Sequence, residues 1–244
     1  MSKYLTDEYD NVNLRYMKNL RLNVIETSDK PFQDRIEAGQ LLGWALKRLH
    51  LRPEIVLGIP RGGVVIAQQL ANILKTELDI VLTRKIGAPE NPELAIGAVD
   101  EDGYLYLNDD LVEAAQADDE YIQKTKAHEL LAIAQRKDLF RAFRPKVPLK
   151  EKTIVITDDG VATGATIQAA IWMVRREKPK EIIVAVPVGA LNSLERLAED
   201  ADQVICLRVP IYFRSLGQFY NYFDQVDDNR VQEILRHTDE RTAT

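Results

Sequence analysis

Along the chain, short and almost wholly apolar runs alternate with segments of helical periodicity. Five such runs occur, at residues 54–59, 78–83, 153–157, 181–186 and 203–207. A run without polar alternation is typical of a strand covered on both faces, and strands that alternate with helices form parallel sheets. The sequence therefore predicts an α/β fold, a central parallel sheet with helices on both faces.

Three further segments complete the predicted secondary structure. Alternation across residues 20–26 predicts a short strand. The apolar spacing of residues 31–50 predicts an amphipathic helix that Ser28 or Asp29 can cap. Residues 109–141 are helix-rich and charged, which predicts a helical insert packed on the core or on a partner subunit.

These elements suggest one main domain over residues 31–224 that contains the insert. Residues 1–30 are then an N-terminal extension, either part of a hood or an oligomer contact, and residues 225–244 a C-terminal helix and tail. Glycine and proline are dense in residues 85–103, which predicts a loop with a hairpin near residues 101–103.

Composition excludes several classes of protein. The formal net charge of −6 argues against a nonspecific nucleic-acid binder. The single cysteine, Cys206, allows no internal disulfide and no cysteine-based zinc site, and its apolar run favours a core position. Apolar runs are too short for a membrane span, and the N-terminal residues do not resemble a signal peptide. We therefore expect a cytoplasmic protein.

The most informative motif follows the third apolar run, spans Asp158–Thr166 and ends where a helix begins. Its glycines let the backbone come close to a ligand, and the helix start points free N–H groups at one spot, where an anion is favoured. Asp158 and Asp159 can accept hydrogen bonds from vicinal hydroxyls or attract a hydrated cation. This segment, the acidic loop, predicts adjoining phosphate and diol sites, although the two acids could instead merely cap the helix.

The acidic loop resembles the signature of type I phosphoribosyltransferases that binds 5-phosphoribosyl-1-pyrophosphate (PRPP). By that resemblance, Asp158 and Asp159 bind the ribose 2′- and 3′-hydroxyls and lie near Mg²⁺. The backbone that holds the 5-phosphate comprises Gly160, Val161, Ala162, Thr163, Gly164, Ala165 and Thr166. The resemblance also implies a small hood, built from terminal segments, beside the central sheet.

The first apolar run ends in a second loop, Gly58–Gly63, which precedes a helix and resembles the family's pyrophosphate loop. In this arginine loop, Arg61 would supply charge, and Gly62 and Gly63 would offer N–H groups to the oxyanions. Members of the family can carry a cis peptide that does not precede proline at this place. We expect it between Pro60 and Arg61.

Charged residues after the second apolar run are further candidates. Arg84 and Lys85 are similar to a pair in adenine-type members that could neutralise the departing pyrophosphate, although a solvated basic pair is nearly as compatible with the pattern. The resemblance implies that residues 85–103 form a mobile loop which closes over the site. Lys85, Glu90 and Glu93 are its candidates for contacting the leaving group or the base.

Two features bear on the acceptor. Tyr212 or Phe213 could stack on a planar base, as an aromatic does in hypoxanthine-type members, or could instead belong to a hydrophobic hood or dimer contact. Hypoxanthine-type enzymes carry an acid where this chain has Ala162, whereas adenine- and uracil-type enzymes have alanine. The acceptor therefore stays open, and a 6-oxopurine is disfavoured.

The resemblance implies Mg²⁺-dependent transfer of phosphoribose from PRPP to a nitrogenous base or similar nitrogen nucleophile, with release of pyrophosphate. A homo-oligomer is expected by analogy. Three alternatives share the fold or the site: a PRPP-sensing regulator without efficient catalysis, an RNA-binding attenuator and a generic sugar-phosphate binder. The last would bind ribose 5-phosphate and PRPP equally well.

Overall fold

The structure, a computed structural model, describes residues 21–242, with side chains described as far as residue 236. The strands are β1 Leu22–Thr27, β2 Ile55–Gly58, β3 Glu77–Ile80, β4 Thr83–Gly87, β5 Ala95–Asp100, β6 Leu105–Leu107, β7 Thr153–Thr157, β8 Glu181–Val188 and β9 Gln203–Val209. The helices are α1 Arg35–Arg48, α2 Gly62–Leu74, α3 Asp109–Ala114, α4 Asp119–Arg141, α5 Ala165–Arg176, α6 Leu191–Asp200 and α7 Asp228–Thr242. None of the described helices is long and apolar enough to cross a membrane.

Six parallel strands form the central sheet in the order β3–β2–β7–β8–β9–β1. All five predicted apolar runs contribute strands, and the alternating segment at residues 20–26 supplies β1 at one edge, paired with β9. The predicted fold class is therefore confirmed. Most of the N-terminal extension lies outside the described residues, so the division into extension, domain and tail stays a prediction.

The central strands are apolar throughout because both faces are covered. On β2, Val56 packs into one core together with α1 and α2, while Ile55 and Leu57 pack into a second core with α5 and α6. Strand β7 alternates in the same way, with Val155 facing the first core. Since side chains alternate along a strand, uninterrupted burial requires helices on both faces.

The prediction of a mobile loop at residues 85–103 was wrong for most of the segment. Strands β4, β5 and β6 form a second, antiparallel sheet, and only residues 88–94 connect two of its strands without strand structure. Every residue of β5 is buried: Ala95 and Ala98 pack against α5, and Ile96 and Val99 join the core that includes α4 residues. The predicted hairpin turn near 101–103 is present between β5 and β6.

Two predicted helices differ in detail. The helix predicted at 31–50 begins at Arg35, because the Asp34 side chain accepts a hydrogen bond from Glu37 N and so forms the cap in place of Ser28 or Asp29. The insert at 109–141 is divided into α3 and α4. Asn108 and Asp118 cap these two helices separately.

A buried ion network fixes the C-terminal end of α4. Arg141 Nη1 lies 2.6 Å from Asp79 Oδ1 on β3, and its Nη2 lies 2.6 Å from Glu101 Oε1 in the β5–β6 turn. The two carboxylate side chains are only 1% and 4% exposed. Burial raises the pKa of Asp79, and the Arg141 charge opposes that rise. The network therefore joins the insert to both sheets.

Residues 32–33 and 212–223 pack together in a small region that we call the hood, and the prediction that terminal segments build a hood stays a prediction. A bridge pairs Phe32 with Tyr220, and Asn221 N donates to Phe32 O at 2.8 Å. The adjoining 3-10 helix, Leu216–Phe219, buries Phe219 against this segment. These contacts hold the polypeptide after β9 over the start of α1.

Candidate active site

The two loops singled out in the sequence lie side by side. Strands β2 and β7 are neighbours in the central sheet, and Gly58 pairs with Thr157 at their carboxyl ends. The strand order changes direction between these two strands, because the chain leaves β2 for β3 on one side and β7 for β8 on the other. Open α/β sheets bind ligands at such a switch point. The arginine loop and the acidic loop therefore flank the expected ligand crevice.

Asp158 is held at the base of the crevice by backbone donors. Its Oδ1 accepts a hydrogen bond from Asp159 N at 2.8 Å, and Gly63 N of the arginine loop also donates to this carboxylate. Burial and the neighbouring Asp159 charge raise the pKa of Asp158 well above the usual carboxyl range. A ligand that supplies hydrogen-bond donors or positive charge would stabilise the ionised form of Asp158.

Asp159 is tied to the hood. Arg35 Nε donates to its Oδ2 at 2.8 Å, and each of the two side chains is 12% exposed. Tyr220 Oη donates to the Asp159 backbone oxygen at 2.6 Å. The Arg35 guanidinium also lies over the Phe223 ring, 3.9 Å from its centroid. Burial raises the pKa of Asp159, and the Arg35 charge limits the rise.

The rest of the acidic loop leaves the start of α5 open. Gly164, the residue before the helix, has φ +81° and provides no side-chain cap. Thr163 and Thr166 are exposed beside it. From behind, Ser193 Oγ on α6 donates to Ala162 O at 2.6 Å, and Val161 forms a bridge with Gly189. The loop is thus anchored on one side and presents N–H and hydroxyl groups on the other.

The arginine loop packs directly against the acid pair. A Cβ atom at Gly62 would collide with the Asp159 carboxylate, and one at Gly63 would come within 2.8 Å of Asp158 Cα. Only glycine allows this approach of the two loops. The Pro60–Arg61 peptide is cis, as predicted. The Arg61 guanidinium lies 3.9 Å from Asp228 Oδ1 at the start of α7.

A cavity of about 260 Å³ adjoins both loops. Its lining includes Pro60 of the arginine loop, Thr166 at the start of α5, Arg84 and Lys85 of β4, and one face of α4. Another cavity, beside Asp79, has only about 20 Å³, which is room for one water molecule. The larger cavity is therefore the candidate space for a ligand group beyond the crevice.

The predicted basic pair lies on a strand. Arg84 Nε is 2.5 Å from Glu129 Oε2 on α4, and Lys85 Nζ is 3.1 Å from Glu93 Oε1. Both side chains line the cavity. Each cation has a carboxylate partner, but the Arg84 side chain is 40% exposed and Lys85 pairs with a largely exposed Glu93, so the alternative of a solvated basic pair stays open.

Comparison with known proteins identifies the family. The sequence model of the phosphoribosyl transferase domain matches residues 34–216, about three quarters of the chain. The chain belongs to the phosphoribosyl transferase family. The matched range includes both loops, the basic pair and α4.

Relatives of this phosphoribosyl transferase domain support the assignment. The crystal structure of TT1426 from Thermus thermophilus is similar, with 43% identity and a TM-score of 0.80, covering 85% of this chain and 98% of that one. A Mycobacterium tuberculosis protein named "Putative phosphoribosyl transferase" is 40% identical over 206 residues in each of two strains. That match covers 84% of this chain, which spans about half (46%) of the relative's length.

The acid pair fits a metal ion that arrives with its ligand. No group of three or more His, Cys, Asp or Glu side chains that could hold a metal occurs within the described part of the chain. The Asp158 carboxylate accepts from two N–H groups, and Asp159 Oδ2 pairs with Arg35. Mg²⁺ usually keeps several waters and binds one or two carboxylates plus substrate oxygens. The donor set suits that mode better than an all-protein cage.

The predicted base-stacking residues lie apart from the cavity. Phe213 packs on Phe219, with ring centroids 5.1 Å apart, and the Tyr212 side chain is 75% exposed. Neither residue lines the cavity beside the basic pair. Phe213 thus has a hood role in the structure, and stacking on a base stays a prediction for Tyr212 and Phe213.

Sequence reasoning missed two contributions to the candidate site. Arg35 pairs with Asp159 across 124 positions of sequence, and no local pattern marks such a contact. Helix α4 supplies one wall of the cavity, through side chains at positions 121, 125, 129, 133 and 136. That spacing is close to one residue per helical turn, so the sequence alone indicates that these side chains share one face of the helix.

Proposed function

We propose that this chain catalyses Mg²⁺-dependent transfer of phosphoribose from PRPP to a nitrogen nucleophile, with release of pyrophosphate. The observation that carries the proposal is the contact between the arginine loop and the acidic loop at the switch point of the sheet. A diol site, an anion site at a helix start and a second set of anion donors then lie next to one another. PRPP contains the three matching groups in one molecule.

In the proposed complex, Asp158 and Asp159 accept hydrogen bonds from the 2′- and 3′-hydroxyls of the ribose. The N–H groups from Gly160 to Thr166 and the hydroxyls of Thr163 and Thr166 hold the 5-phosphate at the start of α5. Support comes from the uncapped helix start and from the exposure of both threonines. The Arg35 ion pair keeps Asp159 in one orientation for this contact.

The leaving group would lie on the other side of the crevice. Gly62 and Gly63 offer N–H groups, and Arg61, Arg84 and Lys85 provide positive charge to the pyrophosphate. Catalysis then rests on positioning and on stabilising the charge that develops on the departing pyrophosphate, without a covalent intermediate on the protein. Mg²⁺, when bound, would neutralise phosphate oxygens close to Asp158 and Asp159.

The acceptor is proposed only by class, a nitrogenous base. Ala162 leaves the acidic loop without the carboxylate that would assist a 6-oxopurine, and the aromatic hood at Tyr212 and Phe213 is the candidate place for a planar ring. We propose that the protein is a cytoplasmic homo-oligomer with small-molecule substrates.

Calorimetric titration of PRPP, with and without Mg²⁺, tests the proposal. We expect Mg²⁺-dependent binding at least about tenfold tighter than that of ribose 5-phosphate, because pyrophosphate adds charge-assisted hydrogen bonds. Pyrophosphate release is then measured with a panel of bases. Asp158→Asn should abolish binding, whereas Asp119→Asn, an exposed acid at the start of α4, should not.

Each other outcome has a definite meaning. PRPP binding without pyrophosphate release for any base would favour the PRPP-sensing regulator. Equal affinity for ribose 5-phosphate and PRPP would favour a generic sugar-phosphate binder. Absence of PRPP binding with and without Mg²⁺ would refute the assignment of the acidic loop.

A further inference from the structure

Helix α4 places a row of side chains against the cavity beside the arginine loop. Tyr121, Thr125, Glu129, Ile133 and Arg136 all line it, and they share one face of the helix. Most of these side chains carry a hydroxyl or a charge, and neither loop motif supplies this wall. The lining also includes Pro60 and the basic residues of β4.

The cavity carries more positive than negative charge, although the whole chain has a formal net charge of −6. Arg84, Lys85 and Arg136 line it, and Glu129 is the single carboxylate among the lining residues. Glu129 already pairs with Arg84. Lys85 pairs with Glu93 at the cavity's edge. An added anion would therefore improve the charge balance of this space.

Of the three cations that line the cavity, Arg136 is the one that forms no ion pair among the described side chains. No carboxylate lies within 4.0 Å of its guanidinium among the side chains that the structure describes. Burial lowers the pKa of Arg136, and so do the neighbouring charges of Arg84 and Arg61, whereas Asp228 raises it. Arg84 and Arg136 thus both line the cavity next to Pro60 of the arginine loop, with Glu129 as the counter-charge among the lining residues.

The helix that carries Arg136 is anchored by the ion network at its C-terminal end. Arg141, five residues further on, is clamped between Asp79 and Glu101. Ile133 is buried in the main core on the other side of Arg136 along the helix. Arg136 thus extends from a helix that is anchored at its C-terminal end and packed on the core, so the backbone at this position needs no ordering for an anion to bind.

We propose that Arg136 binds the diphosphate group of the ligand together with Arg84, and that Glu129 is the internal counter-ion that the diphosphate displaces from Arg84. This inference rests on the proposed function, because it assigns the leaving-group side of the same site. It adds a contact from the helical insert to those of the two loops. It also gives the insert a direct part in recognising the substrate.

Calorimetric titration of two probes, inorganic pyrophosphate and ribose 5-phosphate, into wild-type protein and Arg136→Met tests the inference. The Kd for pyrophosphate should rise about tenfold or more, because a charge-assisted bidentate contact is lost. The Kd for ribose 5-phosphate should stay within about twofold, which also shows that the variant is folded. Arg175→Met, which removes a half-exposed arginine at the far end of α5, should leave both values unchanged.

Two more variants sharpen the result. Arg136→Lys should recover part of the pyrophosphate affinity, because it keeps the charge but loses the planar fork. Glu129→Gln should bind pyrophosphate several-fold more tightly, because the competing carboxylate is removed from Arg84. If Arg136 had only a structural role, Arg136→Met would not weaken pyrophosphate binding while Glu129→Gln strengthens it.

The possible failures can be told apart. If ribose 5-phosphate binds normally but pyrophosphate affinity is the same in wild type and Arg136→Met, the inference on Arg136 is wrong and the proposed function stands. If wild type binds pyrophosphate but not ribose 5-phosphate, the acidic loop has been misassigned, and the effect of Arg136→Met still decides the anion contact. If wild type binds no pyrophosphate, the inference is overturned.

Discussion

Arg35 Nε lies 2.8 Å from Asp159 Oδ2, so the first helix of the domain holds the second acid of the acidic loop. The same guanidinium donates to Asp224 O at 2.8 Å and rests on the Phe223 ring. One residue thus connects α1, the acidic loop and the hood. Helix α1, which the sequence predicts only as an amphipathic helix, therefore contacts the candidate active site directly.

Arg35→Met should destabilise the protein by about 3 kcal/mol, because it leaves the buried Asp159 carboxylate without its partner. Urea unfolding at pH 7 measures the loss. Arg230→Met is the matched control: Arg230 pairs with Glu233 at 3.0 Å, but both side chains are about half exposed, and the expected cost is below about 0.5 kcal/mol. Equal effects of the two substitutions would contradict the assigned role of burial.

Asp158→Asn should stabilise the free protein at neutral pH while it abolishes PRPP binding. The pKa of Asp158 is raised in the folded state, so the folded protein holds this proton more tightly than the unfolded chain does. The stabilising contribution of the protonated Asp158 is therefore complete below the usual carboxyl pKa and is lost as pH rises through the raised pKa. Each unit of pKa difference corresponds to about 1.4 kcal/mol.

Unfolding free energies of wild type and Asp158→Asn, measured from pH 4 to pH 8, check the sign of this effect. The asparagine can still accept the N–H bonds from Asp159 and Gly63, so the comparison isolates the charge. We expect the two curves to converge at the acidic end and to separate towards pH 8. A variant that is less stable than wild type at pH 8 would refute the prediction.

Comparing Gly164→Ala with Gly103→Ala distinguishes the stability cost of backbone strain from an effect on PRPP binding. Their φ angles are +81° and +79°, and neither site has a close steric obstacle to a Cβ atom. Each substitution should therefore cost about 1–2 kcal/mol, or several degrees in Tm. Only Gly164→Ala should also weaken PRPP binding, because it shifts the N–H groups at the start of α5. Equal PRPP affinities in the two variants would count against that phosphate site.

Tyr212→Ala and Phe213→Ala should have different effects on folding. Tyr212 is largely exposed, so its loss should change stability by less than about 0.5 kcal/mol. Phe213 packs on Phe219, and its loss should cost about 2 kcal/mol, less than for a fully buried Phe. An increase in KM for the acceptor in Tyr212→Ala, at unchanged stability, would support stacking. An unchanged KM would leave Tyr212 without a part in binding the base.

The central sheet was predictable because its signal is local. Each strand had to be apolar on both faces, and a run such as 153–157 shows this without any knowledge of its neighbours. The acidic loop was predictable for a similar reason, since its acids, glycines and following helix are contiguous. What the sequence could not show is which other residues these loops contact, such as Arg35.

The segment at 85–103 was misjudged because its partners are distant in sequence. Gly87 and Gly97 suggest a loop, yet each gives room for a neighbouring backbone: Pro92 at Gly87 and Tyr106 at Gly97. Strand β5 is buried because α4 and α5 cover its opposite faces. Both helices begin more than eighteen residues after the strand ends, so no local pattern reveals this cover.

The covering of β5 on both faces has a consequence for the dynamics of the site. Its backbone amides are shielded by two helices and two neighbouring strands, so they should exchange with solvent deuterium only through global unfolding. Arg84 and Lys85 belong to β4, which is hydrogen-bonded to this protected strand. We therefore expect β4, which carries Arg84 and Lys85, to open only together with β5, and ligand exchange at this wall of the cavity to depend on the segments around it.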